Sequence, residues 1–381
     1  MGCRRVSRGH PLVWAPVAGH PKHLKDLIGI EHPVIQAPMA GSTTPELVAA
    51  VSEAGGLGSL GSAATPPDSL TEAAAAVRSL TERPFNMNFF CHETPSESEL
   101  DATGVRARLR PLYLELGLGE PPEPAVPPIA FNEDRLAALL EIAPAVASFH
   151  FGLPPDSALA AIRDAGCRVI ASATSVSEAA YLSDHGVDAV IAQGAEAGGH
   201  RGSFLVGGDD GPVGTFALVP QVVDAVDLPV IAAGGIADGR GLAAALMLGA
   251  AGVQIGTAFL SCPEAATHPL HREALRSARS DATTITRAFS GRPARALRNR
   301  FTDRAESDPL PFPAQLSISG PLSRAAAERG SSDFLAMWAG QAAPLAREIP
   351  AGDLVEKIVA EAEGISGRAW PPMPYGEPEH G

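Results

Sequence analysis

The chain has 381 residues, a formal net charge of −14 and four widely spaced cysteines. This length suits one large domain or two modest ones. The acidic balance argues against nucleic acid as a partner, because phosphate backbones attract basic surfaces. The cysteines form no CxxC pair, so we expect neither a disulfide framework nor a metal site. No apolar stretch reaches membrane-spanning length, and prolines interrupt the basic N-terminus, which favours a cytoplasmic protein without membrane association.

Short β-type runs alternate with alanine-rich helical segments along most of the chain. Eight runs, mostly apolar with little alternation, predict strands covered on both faces at 33–37, 57–61, 85–89, 146–151, 168–173, 188–193, 229–233 and 252–256. Segments with helix formers lie between them at 45–54, 66–82, 133–143, 155–165, 175–185, 216–226 and 239–248. Several begin at proline or serine and end at glycine, as helices prefer. Eight such units predict a TIM (β/α)8 barrel rather than an open doubly wound sheet.

Two regions depart from this rhythm. Residues 93–128 are proline-rich and acidic, and we expect them to leave the barrel at its mouth after strand three. The region after strand eight is richer in arginine and lacks strand signals, so it predicts a smaller, mostly helical module. We therefore predict five consecutive regions: an irregular lead-in at 1–23, the barrel at 24–265, the module at 266–333, C-terminal helices packing on the barrel at 334–366 and a disordered tail at 367–381.

The loop after the sixth predicted strand reads QGAEAGGHRG, beginning at Gln193. Gly198 and Gly199 let a backbone approach a ligand closely. Gln193 both donates and accepts hydrogen bonds, as the edge of a heterocycle requires, and His200 titrates near neutral pH. A glycine pair alone is often a turn, and a lone histidine is often structural. Their clustering with Arg201 in one loop after a strand favours a cofactor site beside an acid/base group.

The loops after strands seven and eight carry small residues. TIM barrels commonly hold the phosphate of a cofactor at these two positions. Gly234 and Gly235 follow strand seven, and Gln254, Gly256 and Thr257 lie at the end of strand eight. Their backbone N–H groups and the Thr257 hydroxyl suit an anion. The alternative is that both loops are tight turns that close the barrel.

Three other strand ends complete a predicted site for a flat ring. Ala37, Pro38 and Met39 follow strand one, and the Met39 side chain suits a ring face. Asn88 ends strand three and bonds either a heterocycle edge or local backbone. His150 ends strand four and points opposite to its phenylalanine neighbours, toward the site or toward solvent.

These stretches together resemble the nitronate monooxygenases, once called 2-nitropropane dioxygenases. The resemblance runs from about residue 25 to 347, is most specific at 193–202 and looks like the class I subgroup. It implies a flavin mononucleotide (FMN) enzyme on a TIM barrel. One departure is Ser42, where another glycine is usual after Ala40-Gly41. The matching stretches lie at 36–41, 53–58, 88–90, 148–154, 193–202, 233–236 and 338–341.

The resemblance also implies site residues. Asn88, Gln193 and Gly198 would contact the flavin, and Gly235 with residues 254–257 would hold the phosphate. The full set of expected cofactor-binding residues is Ala37, Pro38, Met39, Asn88, Gln193, Gly198, Gly199, Gly234, Gly235, Gln254, Gly256 and Thr257. His200 matches the active-site histidine of the family, and His150 lies in a motif that faces the same cavity.

The implied reaction is the oxidation of alkyl nitronates, such as propionate 3-nitronate, by O2 to a carbonyl compound and nitrite. His200, if protonated, and Arg201 would hold the anion. If neutral nitroalkanes are accepted, His200 would remove the α-proton. The expected catalytic residues are therefore His200, His150 and Arg201, and the expected partners are a small anionic nitronate and O2, in a monomer or homodimer.

Three other interpretations stay open. NADH-using flavin reductases, which act on enoyl-acyl carrier protein or quinones, share the Glu-Ala-Gly-Gly-His loop on the same barrel. Arg201 and the stretches at 148–154 and 338–341 favour the nitronate enzyme. A non-catalytic flavin-binding protein would not need a titratable group at His200. A barrel synthase for a phosphorylated sugar would use the same phosphate loops without flavin.

Overall fold

The computed structural model describes residues 23–205, 211–304 and 308–366. The predictions for residues 1–22 and for the tail at 367–381 fall outside this part of the chain. The described residues form eleven strands: β1 (Val34–Gln36), β2 (Gly58–Gly61), β3 (Phe85–Phe90), β4 (Val146–His150), β5 (Arg168–Ala173), β6 (Ala189–Gln193), β7 (Gly199–His200), β8 (Val230–Ala233), β9 (Gly252–Ile255), β10 (Thr283–Thr286) and β11 (Ala294–Leu297).

The same part of the chain contains fourteen α-helices: α1 (Leu24–Ile28), α2 (Pro45–Glu53), α3 (Pro67–Leu80), α4 (Thr103–Glu115), α5 (Glu133–Ile142), α6 (Asp156–Asp164), α7 (Val176–Asp184), α8 (Thr215–Ala225), α9 (Gly239–Met247), α10 (Thr257–Leu260), α11 (Pro269–Arg276), α12 (Arg300–Arg304), α13 (Gln315–Glu328) and α14 (Ala351–Ser366). Each of the seven helices predicted between the barrel strands forms, within two residues of its expected bounds.

All eight predicted strands form one parallel sheet, in the order β1-β9-β8-β6-β5-β4-β3-β2. The sheet closes on itself between β1 and Leu57, which directly precedes β2. There the Gln36 amide donates to the Leu57 carbonyl at 2.9 Å, and the Leu57 amide donates to the Val34 carbonyl at 3.0 Å. The prediction of a TIM barrel is confirmed. Its strands are almost entirely buried, because helices cover the outside and side chains fill the inside.

Local signals explain why the barrel helices begin and end where they do. The side chains of Thr44, Asn132, Ser175 and Asp238 accept backbone N–H bonds at the N-termini of α2, α5, α7 and α9. After α2, α6, α7 and α9, a glycine with positive φ turns the chain toward the next strand, at Gly55, Gly166, Gly186 and Gly249. These are the glycines from which the sequence predicted the helix ends.

The eighth barrel helix is α14, which the sequence did not assign to that position. It packs against α9 on one side and α2 on the other. Residues 266–350 therefore form a large insertion between the last barrel strand, β9, and its helix.

This insertion extends the predicted module to residue 350 and is called the module from here on. It contains a β-hairpin as well as helices. Strands β10 and β11 pair antiparallel, and β11 also pairs with β7 in the glycine-rich loop, where Ala294 lies opposite His200. The sequence showed no strand signal in this region, yet the structure contains this hairpin beside the helices α11, α12 and α13. Thr283–Thr286 is a short β-branched run, and its partner is reached through a turn at Ser290-Gly291-Arg292-Pro293.

The excursion after strand three packs on the module. Helix α4 contacts α13, and the Tyr113 hydroxyl donates to the Ile318 carbonyl at 2.5 Å. Leu109 and Leu112 of α4 share one hydrophobic cluster with Phe289 and Leu322 of the module. Excursion and module therefore form a single cover over the barrel mouth. Among the described residues, none of the helices has the length and apolarity that crossing a membrane requires.

Candidate active site

A cavity of about 820 Å³ opens at the carboxyl ends of the barrel strands, beneath the module. Its wall brings together every residue that the sequence assigned to a cofactor: Ala37, Pro38, Met39, Asn88, Gln193, Gly198, Gly199, Gly234, Gly235, Gln254, Gly256 and Thr257. His150 and His200 also line it. These residues come from the C-terminal parts of six different strands and from the loops that follow them, which is how TIM barrels build their sites.

The amide of Gln193 holds the glycine-rich loop in place. Its Nε2 donates to the His200 carbonyl at 2.9 Å, and its Oε1 accepts from the Gly202 amide at 2.7 Å. The sequence had assigned this amide to the edge of a cofactor ring. In the structure it lines the cavity and also closes the turn that carries His200.

Glycines in this loop are required by the closeness of other backbone segments. A Cβ on Gly198 would lie 2.5 Å from the Gly340 amide nitrogen, and one on Gly202 would lie 2.6 Å from Cε1 of His150. Both distances are shorter than real Cβ contacts. Gly199 adopts φ of +73°, in the left-handed region, with open space where a side chain would point.

His200 faces the cavity from β7. Its Nε2 lies 2.8 Å from the Ser290 Oγ, and its ring centre lies 5.2 Å from that of Trp338 and 5.3 Å from that of Phe312. Burial, followed by the electrostatic effects of His150, Arg292 and His92, lowers the pKa of His200 to about 3. The imidazole is therefore neutral at physiological pH.

His150 lies beside the loop at the end of β4. Its Nε2 donates to the His200 carbonyl at 3.2 Å. Burial lowers the pKa of His150 to about 4 and outweighs the opposing effect of its hydrogen bond to the His200 carbonyl; the charges of Arg292 and Arg201 lower the pKa by smaller amounts. This histidine therefore supports the backbone that carries His200.

Arg201 does not line the cavity. Its side chain is buried, and Nη1 lies 3.4 Å from the Gln193 carbonyl oxygen, behind the loop. Successive side chains of a strand point to opposite faces, and His200 in β7 faces the cavity, so its neighbour is directed away. The structure therefore brings His200 and His150 together at the cavity and places Arg201 outside it.

The loops after β8 and β9 carry the residues predicted to hold a phosphate. Gly234 and Gly235 have φ of +112° and +73°, and a Cβ on Gly234 would lie 2.9 Å from the Ala197 nitrogen. The Thr257 Oγ1 accepts the Gly340 amide at 2.9 Å, which leaves its hydroxyl proton to donate elsewhere. Small residues and a hydroxyl donor in these loops suit an anionic group.

The side-chain amide of Gln254 indicates whether a polar heterocyclic ligand suits the cavity. Its Oε1 atom is buried without a protein partner, although the residue lines the cavity. Buried polar atoms are nearly always hydrogen-bonded, so we expect a bound molecule to donate a hydrogen bond to this oxygen. Together with the glycine-lined walls, this fits a flat ligand with polar edges and an anionic tail.

Several residues near His200 were missed by the sequence analysis. Ser290, Arg292 and Phe312 come from the module, and their positions depend on the hairpin that was not predicted. The Arg292 guanidinium lies 4.0 Å from the centre of the Phe151 ring and donates to the Ser203 carbonyl. The local signal for this hairpin is a β-branched run followed by a Ser-Gly-Arg-Pro turn, and four residues are too few to make its periodicity evident.

Fold and site together define a barrel protein that binds its ligand at the carboxyl-end loops. A family model described as nitronate monooxygenase matches residues 21–361. A protein from Pseudomonas aeruginosa named nitronate monooxygenase is 47% identical over 89% of this chain and 98% of its own length. A solved structure of nitroalkane oxidase from Streptomyces ansochromogenes is 39% identical, covers 90% of this chain and 98% of its own, and has a TM-score of 0.83.

The chain is also similar to FabK from Thermotoga maritima. That structure is 34% identical, covers 90% of this chain and 96% of its own, and has a TM-score of 0.71. The extent of the family match and the identity to the Pseudomonas protein decide the assignment. This chain belongs to the nitronate monooxygenase family, and it is an oxidoreductase enzyme.

Proposed function

We propose that this enzyme oxidises alkyl nitronates, with FMN in the cavity and O2 as the acceptor, and releases a carbonyl compound and nitrite. One observation carries the proposal: the ring of His200 faces a glycine-lined cavity at the carboxyl ends of the barrel strands. The names of the relatives from Pseudomonas and Streptomyces, which refer to nitronates and nitroalkanes, support it.

FMN, when bound, supplies the transfer of electrons from the nitronate to oxygen. Asn88, Gln193 and Gly198 would hold its ring system, and Gly235 with residues 254–257 would hold its phosphate. The incomplete hydrogen bonding of the Gln254 amide supports this assignment. A side chain at Gly198, Gly235 or Gly256 would occupy space next to the glycine backbone that FMN is expected to contact.

His200 is expected to act as a proton acceptor rather than as a cationic anchor. A pKa of about 3 leaves too little imidazolium at neutral pH to hold an anion. We propose that Arg292, which does not line the cavity but whose charge lowers the pKa of both His200 and His150, provides the positive field near a bound nitronate. Phe312 and Trp338 cover this end of the cavity and would limit the access of water to the reacting atoms.

The expected partners are therefore a small anionic nitronate and O2. We propose that the enzyme works in the cytoplasm as a monomer or homodimer, without nucleic acid or a membrane as partner. Size-exclusion chromatography with light scattering decides between the two assemblies.

Oxygen consumption by the purified yellow protein tests the proposal. We expect uptake with propionate 3-nitronate or ethyl nitronate, nitrite in the product, and FMN released on denaturation. Rapid bleaching of the flavin by NADH under anaerobic conditions, without oxygen uptake on nitronates, would instead identify a reductase. The similarity to FabK makes a flavin reductase the second candidate. A colourless protein would contradict both.

A further inference from the structure

Ser290 of the module contacts the ring of His200. Ser290 is fully buried, and its Oγ lies 2.8 Å from Nε2 of His200, a normal hydrogen-bond distance. The two residues are ninety positions apart in sequence, so this contact exists only because the module folds over the barrel. Nothing in the glycine-rich loop itself provides a comparable contact to this ring nitrogen.

The turn that carries Ser290 is fixed from several sides. Gly291 adopts φ of +88°, and a Cβ there would lie 2.1 Å from the Leu310 carbonyl oxygen. The Gln315 Nε2 donates to the Ala288 carbonyl at 2.9 Å and the Ser319 hydroxyl donates to the Phe289 carbonyl at 2.5 Å. A serine held this firmly presents its hydroxyl at a defined place, as positioning of a functional side chain requires.

The serine hydroxyl has one proton and two possible acceptors. Its Oγ lies 3.3 Å from the Arg292 carbonyl oxygen and 2.8 Å from His200 Nε2. If the hydroxyl donates to the carbonyl, Nε2–H of the imidazole donates to Oγ, and each donor in the chain has an acceptor. If the hydroxyl donates to Nε2 instead, its hydrogen bond to the Arg292 carbonyl is lost and the imidazole proton lies on Nδ1. The Arg292 backbone amide also donates to Oγ at 3.4 Å, so both arrangements form a chain, but only the first also uses the Arg292 carbonyl as an acceptor.

The neighbours of His200 keep the ring at a single proton. His92 after β3, His150 in β4 and Arg292 in the hairpin turn are the titratable or charged groups that act on it, and each lowers its pKa. With one proton fixed on Nε2 by Ser290, the lone pair is on Nδ1. A histidine is commonly oriented through its second nitrogen in this way.

We propose that Ser290 is a positioning residue that sets the tautomer of His200 and thereby enables the enzyme to take neutral nitroalkanes as well as nitronates. The proposal rests on the proposed function. The α-carbon–hydrogen bond breaks, its electron pair becomes the carbon–nitrogen double bond of the nitronate, and the proton moves to Nδ1. The resulting imidazolium keeps its Nε2–H bond to Ser290, next to the nitronate anion that has just formed.

The test compares two forms of one substrate in the holoenzyme. In Ser290→Ala, kcat/KM for neutral nitroethane is expected to fall about 10- to 100-fold, the same size of effect as removing the hydrogen-bond partner of a metal-ligating histidine. With preformed ethyl nitronate, the change is expected to stay within about threefold, because that substrate needs no proton transfer. Ser290→Thr keeps the hydroxyl and is expected to recover most of the nitroethane activity.

Controls separate positioning from folding. Ser52→Ala removes another buried serine. Its hydroxyl donates to the carbonyl of Pro84, the residue before β3, and Ser52 does not line the cavity. It is expected to leave the ratio of the two substrates unchanged. An equal loss on both substrates in Ser290→Ala, or a wild type that oxidises ethyl nitronate but not nitroethane, would overturn the tautomer proposal while the proposed function stands.

A second measurement does not depend on activity or on flavin. In protein labelled with ¹⁵N-histidine, the His200 signals are identified by their loss in His200→Gln. A proton attached to Nε2 in the wild type, and a shifted or mixed population in Ser290→Ala, support the proposal. A proton on Nδ1 in the wild type contradicts it. If the wild type does not oxidise ethyl nitronate, the proposed function fails, and this spectrum still decides the role of Ser290.

Discussion

The floor of the cavity and its cover are encoded differently in the chain. The floor consists of loops that directly follow parallel strands, so strand positions in the sequence also give the positions of Asn88, Gln193 and Gly235. The cover consists of the module, where Ser290 and Phe312 reach the site only through tertiary packing. The floor of the cavity is therefore a local property of the sequence, whereas the surroundings of His200 depend on tertiary packing.

The largest effect is expected from the residue where floor and cover meet. His200→Ala is expected to lower kcat/KM for nitroethane at least about 100-fold, the usual contribution of acid/base catalysis, while FMN remains bound. The measurement combines steady-state oxygen uptake with the flavin spectrum. If FMN is lost together with activity, His200 belongs to the binding site rather than to the chemistry.

The contact between the glycine-rich loop and residue 340 tests how closely floor and cover are fitted. In Gly198→Ala, the new Cβ would meet the Gly340 nitrogen at 2.5 Å, so we expect a loss of about 1–3 kcal/mol in the free energy of unfolding and weaker FMN retention. Gly104→Ala is the matched control, because a Cβ there meets nothing within 4 Å and α4 gains a better helix former. Chemical denaturation of both variants measures the difference; equal stabilities would show that the loop has room to shift.

The pH dependence of stability tests the burial of a histidine in the cover. Burial lowers the pKa of His271 to about 4, below the value of about 6.5 in an unfolded chain. As the pH falls from about 6.5 toward 4, the unfolded state binds the proton first. The contribution of His271 to the free energy of unfolding is therefore fully present above about pH 6.5 and is lost as the pH falls through this range. The contribution is at most about 1.4 kcal/mol per pH unit.

Thermal unfolding at pH 7.5 and 5.5 measures this contribution. We expect a smaller loss of stability on acidification in His271→Asn than in the wild type, and no such reduction in His23→Asn, where the histidine is exposed. If His271→Asn shows the pH slope of the wild type, the imidazole of His271 is accessible to protons in the folded state.

The smallest effect is expected at the outer edge of the cover, where the excursion meets the module. Glu115 of α4 pairs with the guanidinium of Arg300, and both side chains remain partly exposed. Glu115→Gln is expected to change the free energy of unfolding by less than about 1 kcal/mol, because exposed ion pairs contribute little. A loss above about 2 kcal/mol would show that this pair, and not the apolar cluster around Leu109, holds α4 in place.

Most of the barrel, and the residues that line the floor of the cavity, were predictable from local signals. Apolar runs separated by glycine gave every barrel strand, and the loops after strands six to eight gave Gln193, Gly235 and Thr257. Arg201 was assigned to the substrate because it adjoins His200, and the prediction overlooked that adjacent residues of a strand face opposite ways. The hairpin was missed because four residues of strand within an arginine-rich region give little periodicity, and Ser290 was missed with it.

The position of α14 has a consequence for how the molecule is made. Helix α2 is among the first elements to leave the ribosome, yet the helix that covers one of its flanks is encoded about three hundred residues later. During synthesis the nascent barrel therefore exposes an apolar strip between α9 and α2 until residues near 366 have been translated. A stop codon anywhere before α14, even one that spares every residue around the cavity, would leave this strip permanently open to other chains.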